Sequence, residues 1–179
     1  VLRKLNDNIS RIYKDIQANR RLIISQVKSL LQETAPSWIL KADIKSFYES
    51  INREKIIEKL KDDSLLSFHS INLVYKLFNN PRLQESSGLP RGINLSATLS
   101  EIYMRKFDNW VRSFKGVFFY ARFVDDMIIF TTSPDSVADL NSEMNRKLNE
   151  LAEGLVLNSN KTQIFNSSLI FANKPLEYL

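Results

Sequence analysis

The residues best suited to chemistry in this chain are carboxylates. Asp125 and Asp126 lie side by side between two apolar runs, Phe118-Phe119-Tyr120-Ala121-Arg122-Phe123-Val124 before and Met127-Ile128-Ile129-Phe130 after. Adjacent carboxylates in such a setting are costly unless water or a cation meets them. Tight turns favour Asp, but usually beside Gly or Asn, and neither is present here. A solvated turn and a working pair therefore both stand open. Asp62-Asp63 serves as an internal control: ten Asp among 179 residues give about half an adjacent pair by chance. That pair sits in the polar helix end Lys59-Leu60-Lys61-Asp62-Asp63-Ser64 and needs no function. Asp43 falls near the end of the apolar stretch Trp38-Ile39-Leu40-Lys41-Ala42-Asp43-Ile44. A lone Asp after a strand is commonly a cap, but if the two strands are neighbours, Asp43 converges on Asp125. Cysteine is absent and His69 is the only histidine, so the ligands there would be oxygens, which suit a hard cation such as Mg²⁺. Two such ions held by carboxylates serve in-line phosphoryl or nucleotidyl transfer.

Two further segments carry polar groups with chemical potential. In Ser87-Gly88-Leu89-Pro90-Arg91-Gly92, followed by Ser96-Ala97, glycine permits close backbone approach and Arg91 offers a fork for phosphate, sugar or base. The same stretch also reads as a helix-entry loop capped by Asn94 or Ser96. Lys161 lies in Leu155-Val156-Leu157-Asn158-Ser159-Asn160-Lys161-Thr162, where a plain surface lysine is the simpler reading. His69 has no assigned role.

Composition narrows the remaining choices. Hydrophobic residues make up 44% and charged residues 25%, ordinary globular usage that argues against long disorder. The lack of cysteine excludes a disulfide framework, a thiol nucleophile and thiolate metal sites. A single histidine excludes His-pair metal motifs and leaves little room for a Ser-His-Asp triad. No run approaches 18 apolar residues and no signal-like segment opens the chain, so a cytoplasmic protein without a membrane partner is expected. The net charge of +5 is uneven: +4 over residues 1–40, +4 over 41–115 and −3 over 116–179. A basic front and an acidic rear suit a surface that meets phosphates beside a site that gathers carboxylates; a solvated helix surface is the bland alternative.

These side chains need elements to position them. Apolar spacing predicts helix over 3–33 in two pieces, parted at Asn19-Arg20-Arg21 and ended by Pro36. A buried strand follows over 38–44, then a helix capped by Asn52 and running to about Leu60, and another over 65–78. Residues 85–92 read as loop, 95–114 as a long helix, 117–124 and 127–131 as strands joined by a tight turn at Asp125-Asp126, and 135–152 as helix. Residues 154–158 and 163–172 read as strand or loop. The order predicts an α+β fold, an antiparallel sheet with helices packed on one face.

Taken in sequence, these segments resemble the palm of a reverse transcriptase. Ala42-Asp43-Ile44-Lys45-Ser46-Phe47-Tyr48-Glu49-Ser50-Ile51 resembles motif A, Gly88-Leu89-Pro90-Arg91-Gly92 with Ser96 motif B, Tyr120-Ala121-Arg122-Phe123-Val124-Asp125-Asp126 motif C, and Leu157-Asn158 with Lys161-Thr162 motif D. Leu176-Glu177-Tyr178-Leu179 looks like the start of motif E. Phe123 stands where the family usually has Tyr, and Arg91 and Ala97 stand where it usually has Gln and Pro. The Pro-Arg-Gly and Phe-Tyr-Glu-Ser-Ile forms are most similar to bacterial abortive-infection and defence-associated reverse transcriptases, some of which make DNA without a template.

The resemblance implies a right-hand polymerase palm of the β-α-β-β-α-β kind, with 1–37 as partial, helical fingers and 38–179 as palm, truncated before a thumb. Val1 at the start fits an excised segment of a longer protein. By similarity, Asp43, Asp125, Asp126 and the backbone of Ile44 would hold two Mg²⁺ ions, with Mn²⁺ as a substitute, and Lys161 would protonate or neutralise the leaving pyrophosphate. Tyr48 takes the steric-gate position against the 2′ group, and Phe47, Arg91 and Gly92 line the nucleotide pocket. Arg20 and Arg21 lie where fingers residues grip the triphosphate. The implied activity is RNA-directed DNA polymerisation in anti-phage defence, with an RNA template, a DNA or RNA primer and dNTPs as partners and homo-oligomerisation left open. Template-independent synthesis and a catalytically silent, nucleic-acid-binding palm are the alternatives.

Overall fold

The computed structural model describes residues 1–13, 18–33, 37–81 and 87–167; Pro36, part of the 85–92 loop and the motif E segment lie outside them. Four strands, β1 (Trp38–Asp43), β2 (Val117–Phe123), β3 (Asp126–Thr131) and β4 (Gln163–Asn166), form one antiparallel sheet in the order β2-β3-β1-β4. Side chains alternate across it. Leu40, Ala42, Met127 and Ile129 belong to the main core. Ile39 and Phe130, with Ile128, Phe119 and Phe165, form a separate cluster. Buried residues on both faces explain why β1, a central strand, reads as a nearly continuous apolar run.

The main helical layer packs against the first face, as the order of elements predicts. The helix α6 (Asn94–Ser113) sends Leu95, Leu99, Ile102, Phe107 and Val111 into the core at helical spacing, and α7 (Pro134–Leu151) sends Val137, Leu140, Met144 and Leu148. Both α4 (Arg53–Asp62) and α5 (Phe68–Phe78) extend this core. So does α1 (Leu2–Ile12), through Leu5 and Ile9. On the other face α2 (Arg20–Gln32) covers Ile39 and Phe130 with Val27 and Leu31. Caps set the helix starts: Asn19 accepts from the N–H groups of Arg21 and Leu22, Asn52 from those of Glu54 and Lys55, and Ser133 from that of Ser136. Among the described residues no helix is long and apolar enough to cross a membrane.

Three features depart from the sequence reading. A short helix, α3 (Phe47–Ser50), follows β1 and is entered through Ser46 at φ 48°; a four-residue turn is too short to show periodicity. The β2–β3 loop is Val124-Asp125, not Asp125-Asp126, because Asp126 is already paired with Phe123 and with Asp43. Between α7 and β4 the chain forms a single bridge, Ile44 to Leu157, and a 3-10 turn over Ser159–Lys161.

The Asp62-Asp63 control pair is structural. Asp63 accepts from the Tyr13 hydroxyl at 2.9 Å and pairs with Arg105, tying the C-terminal ends of α1 and α4 to the middle of α6. Beside it, Lys59 donates to the carbonyl of Tyr103 at 2.6 Å and lies 5.0 Å from that ring's centre. Burial, reinforced by the charge on Lys106, pulls the Lys59 amine down from 10.5 to about 8. Between those values the unfolded chain carries the proton and the folded chain does not, so the Lys59 contribution to stability rises with pH across that window. Comparing Lys59→Met with wild type by urea denaturation from pH 7 to 9.5 should therefore show wild-type stability rising relative to the variant. A constant difference across that range would remove the depressed amine.

Candidate active site

The register of β1 against β3 builds the site. Asp43 lies opposite Asp126, and the Ile44 N–H donates to the Asp125 carbonyl at 3.1 Å. The Asp43 backbone is held from its other side by Asn158, whose N–H donates to the Asp43 carbonyl at 2.8 Å. The Asn158 side-chain amide then donates to Asp43 Oδ1 at 3.1 Å, and Lys161 Nζ donates to Oδ2 at 2.9 Å. Exposure grades across the three carboxylates. Asp43 is 5% exposed, Asp125 half-buried and Asp126 exposed. Burial pushes the Asp125 carboxyl up, the charges of Asp126 and Asp43 push the same way, and Lys161 opposes them. Lys161 is held above its ordinary value by its hydrogen bond to Asp43.

Carboxylates crowded in this way and offering only oxygen fit a hard divalent cation. Asp43 and Asp125, beside the Ile44 backbone, are the oxygen donors that lie together there. Among the described residues no group of three or more His, Cys, Asp or Glu side chains is arranged to hold a metal, so Asp126 does not complete a three-carboxylate cluster with the other two.

The motif B loop is pressed onto α3. The Leu89 N–H donates to the Tyr48 carbonyl at 2.7 Å, and Arg53 clamps the loop by donating to the Gly88 carbonyl at 2.6 Å and the Phe78 carbonyl at 2.9 Å. Arg91 makes a two-pronged pair with Glu49, at 2.6 and 3.2 Å. Gly92 adopts φ +77° in open space. Tyr48 is partly buried. Burial raises its phenol, a Ser100 hydrogen bond opposes this, and the charges of Glu101 and Asp125 act upward. Phe47, expected to line the nucleotide pocket, is instead 2% exposed and sits in the core, its ring 5.3 Å from that of Tyr48 in an edge-on contact. It supports the Tyr48 ring from the core. Arg20 stacks 5.8 Å from the centre of the Phe123 ring, two residues before Asp125. Arg21 is exposed on α2, and among the described residues no contact brings it to the carboxylates. A cavity of about 1030 Å³ lined by Glu49, Arg53, Tyr75, Phe78 and Glu153 includes none of the three carboxylates.

Sequence reasoning assigned no role to four residues that shape this site: Asn158, Glu49, Glu101 and Asp108. The last two enclose Arg122, which is also buried. A buried charge needs a partner, and that was the available signal. Arg122 stands in an aromatic strand, and Asp108 lies one turn from Met104 and beside Phe107 on the buried face of α6.

The family model for reverse transcriptase (RNA-dependent DNA polymerase) matches residues 1–179. A putative COX1/OXI3 intron 1 protein of Saccharomyces cerevisiae is 31% identical over 85 residues, 44% of this chain and 10% of that protein. Apo telomerase from Candida tropicalis, truncated from its C-terminal domain, superimposes with TM-score 0.63 at 14% identity over 92% of this chain and 40% of that one. Telomerase from Candida tropicalis in complex with the TWJ fragment of telomeric RNA gives 0.64 at 16% identity, over 92% and 33%. At such identities the likeness is one of fold, and the chain spans less than half of each of these relatives.

Two glycines separate close packing from backbone strain. A methyl group on Gly88 would collide with the Tyr48 carbonyl oxygen and lie 2.5 Å from Glu49 Cα. Gly88→Ala should cost stability near the top of the overpacking range, about 3 kcal/mol. Gly92→Ala meets nothing within 4 Å and should cost about 1 kcal/mol for its positive φ alone. Denaturation midpoints of the two variants rank them; the reverse order would contradict the seating of the loop on α3.

Proposed function

The chain belongs to the reverse transcriptase (RNA-dependent DNA polymerase) family, and on that premise we propose that it forms the palm and part of the fingers of an RNA-directed DNA polymerase that extends a primer 3′-hydroxyl with dNTPs. One observation carries the reading: a buried Asp43 at the end of β1 beside a half-buried Asp125 in the adjoining β2–β3 loop, where burial and then the neighbouring carboxylates raise the Asp125 carboxyl. We assign 1–37 to fingers and 38–179 to palm.

Asp43 and Asp125, with the Ile44 backbone and Asp126 in support, would hold Mg²⁺, or Mn²⁺ in its place. When bound, such ions lower the pKa of the primer hydroxyl and neutralise the triphosphate. The protein's own groups do the rest. Asn158 and Lys161 fix both Asp43 oxygens, so that carboxylate does not rotate freely. Lys161, 63% exposed at its side chain and kept protonated by Asp43, offers positive charge and a proton to a departing pyrophosphate. Tyr48, edge-on against the core residue Phe47, presents a stiff ring to the 2′ position of an incoming nucleotide. Arg91 and Gly92 border the same pocket, and Arg20, stacked on Phe123, brings a guanidinium towards the turn.

An RNA template is supported by the family, and the anti-phage setting by the Pro90-Arg91-Gly92 and Phe47–Ile51 forms. A cytoplasmic site of action accompanies that setting.

The test uses the full-length protein with primed RNA, dNTPs and Mg²⁺. Asp125→Asn should lower incorporation about a thousandfold or more, since several kcal/mol of transition-state charge stabilisation are lost. The exposed Asp62→Asn should leave it unchanged. Normal incorporation by Asp125→Asn would take Asp125 out of the site. Equal incorporation with and without added RNA would replace the templated reading with the template-independent one.

A further inference from the structure

Val124 holds φ +61°, a conformation that a β-branched residue rarely adopts. It is the first of the two loop residues between Phe123 and Asp126, and Asp125 does not share its positive φ. Positive φ at the first loop residue alone is the pattern of a type II′ hairpin turn, where glycine is the usual occupant. Valine there is strained and persists only if its surroundings dictate the conformation.

The surroundings do so through one side chain. Arg122 Nη1 donates to the Val124 carbonyl at 2.8 Å. Its other four hydrogen bonds go to two carboxylates of α6: Nε and Nη2 to Asp108 at 3.0 and 2.8 Å, Nη1 and Nη2 to Glu101 at 3.0 and 2.6 Å. A guanidinium has five N–H groups, so each has a partner and the plane of the fork is fixed. Tyr120 donates to Asp108 Oδ1 at 2.7 Å, which fixes that carboxylate in turn. The side chain of Arg122 is 3% exposed. From the other side the Asp125 carbonyl is taken by the Ile44 N–H. The backbone that carries Asp125 is thus gripped at the carbonyl before it and at its own.

We propose that Arg122 is a positioning residue that, anchored by Glu101 and Asp108, holds the strained Val124 peptide so that Asp125 faces Asp43. The proposal rests on the polymerase reading given above. A lysine keeps the charge but has only three donors from a single nitrogen, so it cannot serve both carboxylates and the Val124 carbonyl in the same plane. The strain supplies a specific rescue. If Arg122 works by holding Val124 at positive φ, glycine at 124 removes the need for it, because glycine adopts that φ without penalty.

The experiment uses the full-length protein. Arg122→Lys should lower kcat for dNTP incorporation about a hundredfold, the scale of a misplacement near 1 Å, with KM for dNTP within about threefold of wild type. Arg122→Lys/Val124→Gly should recover at least tenfold in kcat. Hydrogen exchange at the Asp125 and Asp126 amides should rise at least tenfold in Arg122→Lys, a readout independent of activity. Unchanged kcat and exchange, or a loss that Val124→Gly does not relieve, overturns the proposal. Should Arg122→Lys not fold, Glu101→Gln with and without Val124→Gly carries the same comparison, with an expected tenfold loss and its recovery. A wild-type protein that incorporates no dNTP defeats the polymerase reading instead, and the exchange result then decides the proposal about the turn by itself.

Discussion

The register of β1 against β3 is the constraint on which the rest depends. It sets Asp43 opposite Asp126, puts Leu40 and Ala42 on the face below α6 and α7, and turns Ile39 towards α2. Because side chains alternate with period two, a slip of one residue would exchange the faces and move the apolar set out of its core. The buried faces hold the register, and the register brings the carboxylates together. Position of the chemistry and stability of the fold thus have one cause.

Gathering like charge at one end of the central strands β1 and β3 has an energetic cost, and ion pairs bound that region at two depths. Near the surface Lys161 and Asn158 meet Asp43. Below, Arg122 is enclosed by Glu101 and Asp108. The two depths differ in magnitude. An exposed pair such as Arg91–Glu49, with side chains 71% and 41% exposed, is weakened by water and salt, so Arg91 can leave Glu49 for another anion at little cost. Breaking the buried cluster by removing one partner costs about 3–5 kcal/mol, so Arg122 does not exchange partners. The first pair suits a contact that must exchange partners, the second a support that must stay still.

Much of this was legible in the residues. Helical spacing showed the long helices, Asn19-Arg20-Arg21 marked the break before α2, and Asn52 marked the start of α4. The order of strands around Asp43 and Asp125 pointed to one antiparallel sheet. The turn was misjudged by one residue because nothing in Phe123-Val124-Asp125-Asp126 favours a valine at positive φ; that conformation is imposed by Arg122 and by pairing with β1. Phe47 read as a pocket residue because it adjoins Tyr48, whereas the α3 turn carries it into the core. The second helical cover on the sheet was likewise hidden, since amphipathic spacing in α2 does not say which face it meets.

The sequence by itself determined the kind of chemistry open to this protein. Without cysteine and with one histidine, the reactive groups had to be oxygen and nitrogen atoms of Asp, Lys, Arg and hydroxyl side chains, and ordered motifs placed the chain within a family. Only the tertiary structure decided which of those groups act together. Asp43 and Lys161 are 118 residues apart and lie at 2.9 Å, and Arg122 finds Glu101 and Asp108 21 and 14 residues away on another element. Such contacts depend on how elements pack, and the packing is set by burial summed over the whole core, a quantity that no local stretch of sequence contains.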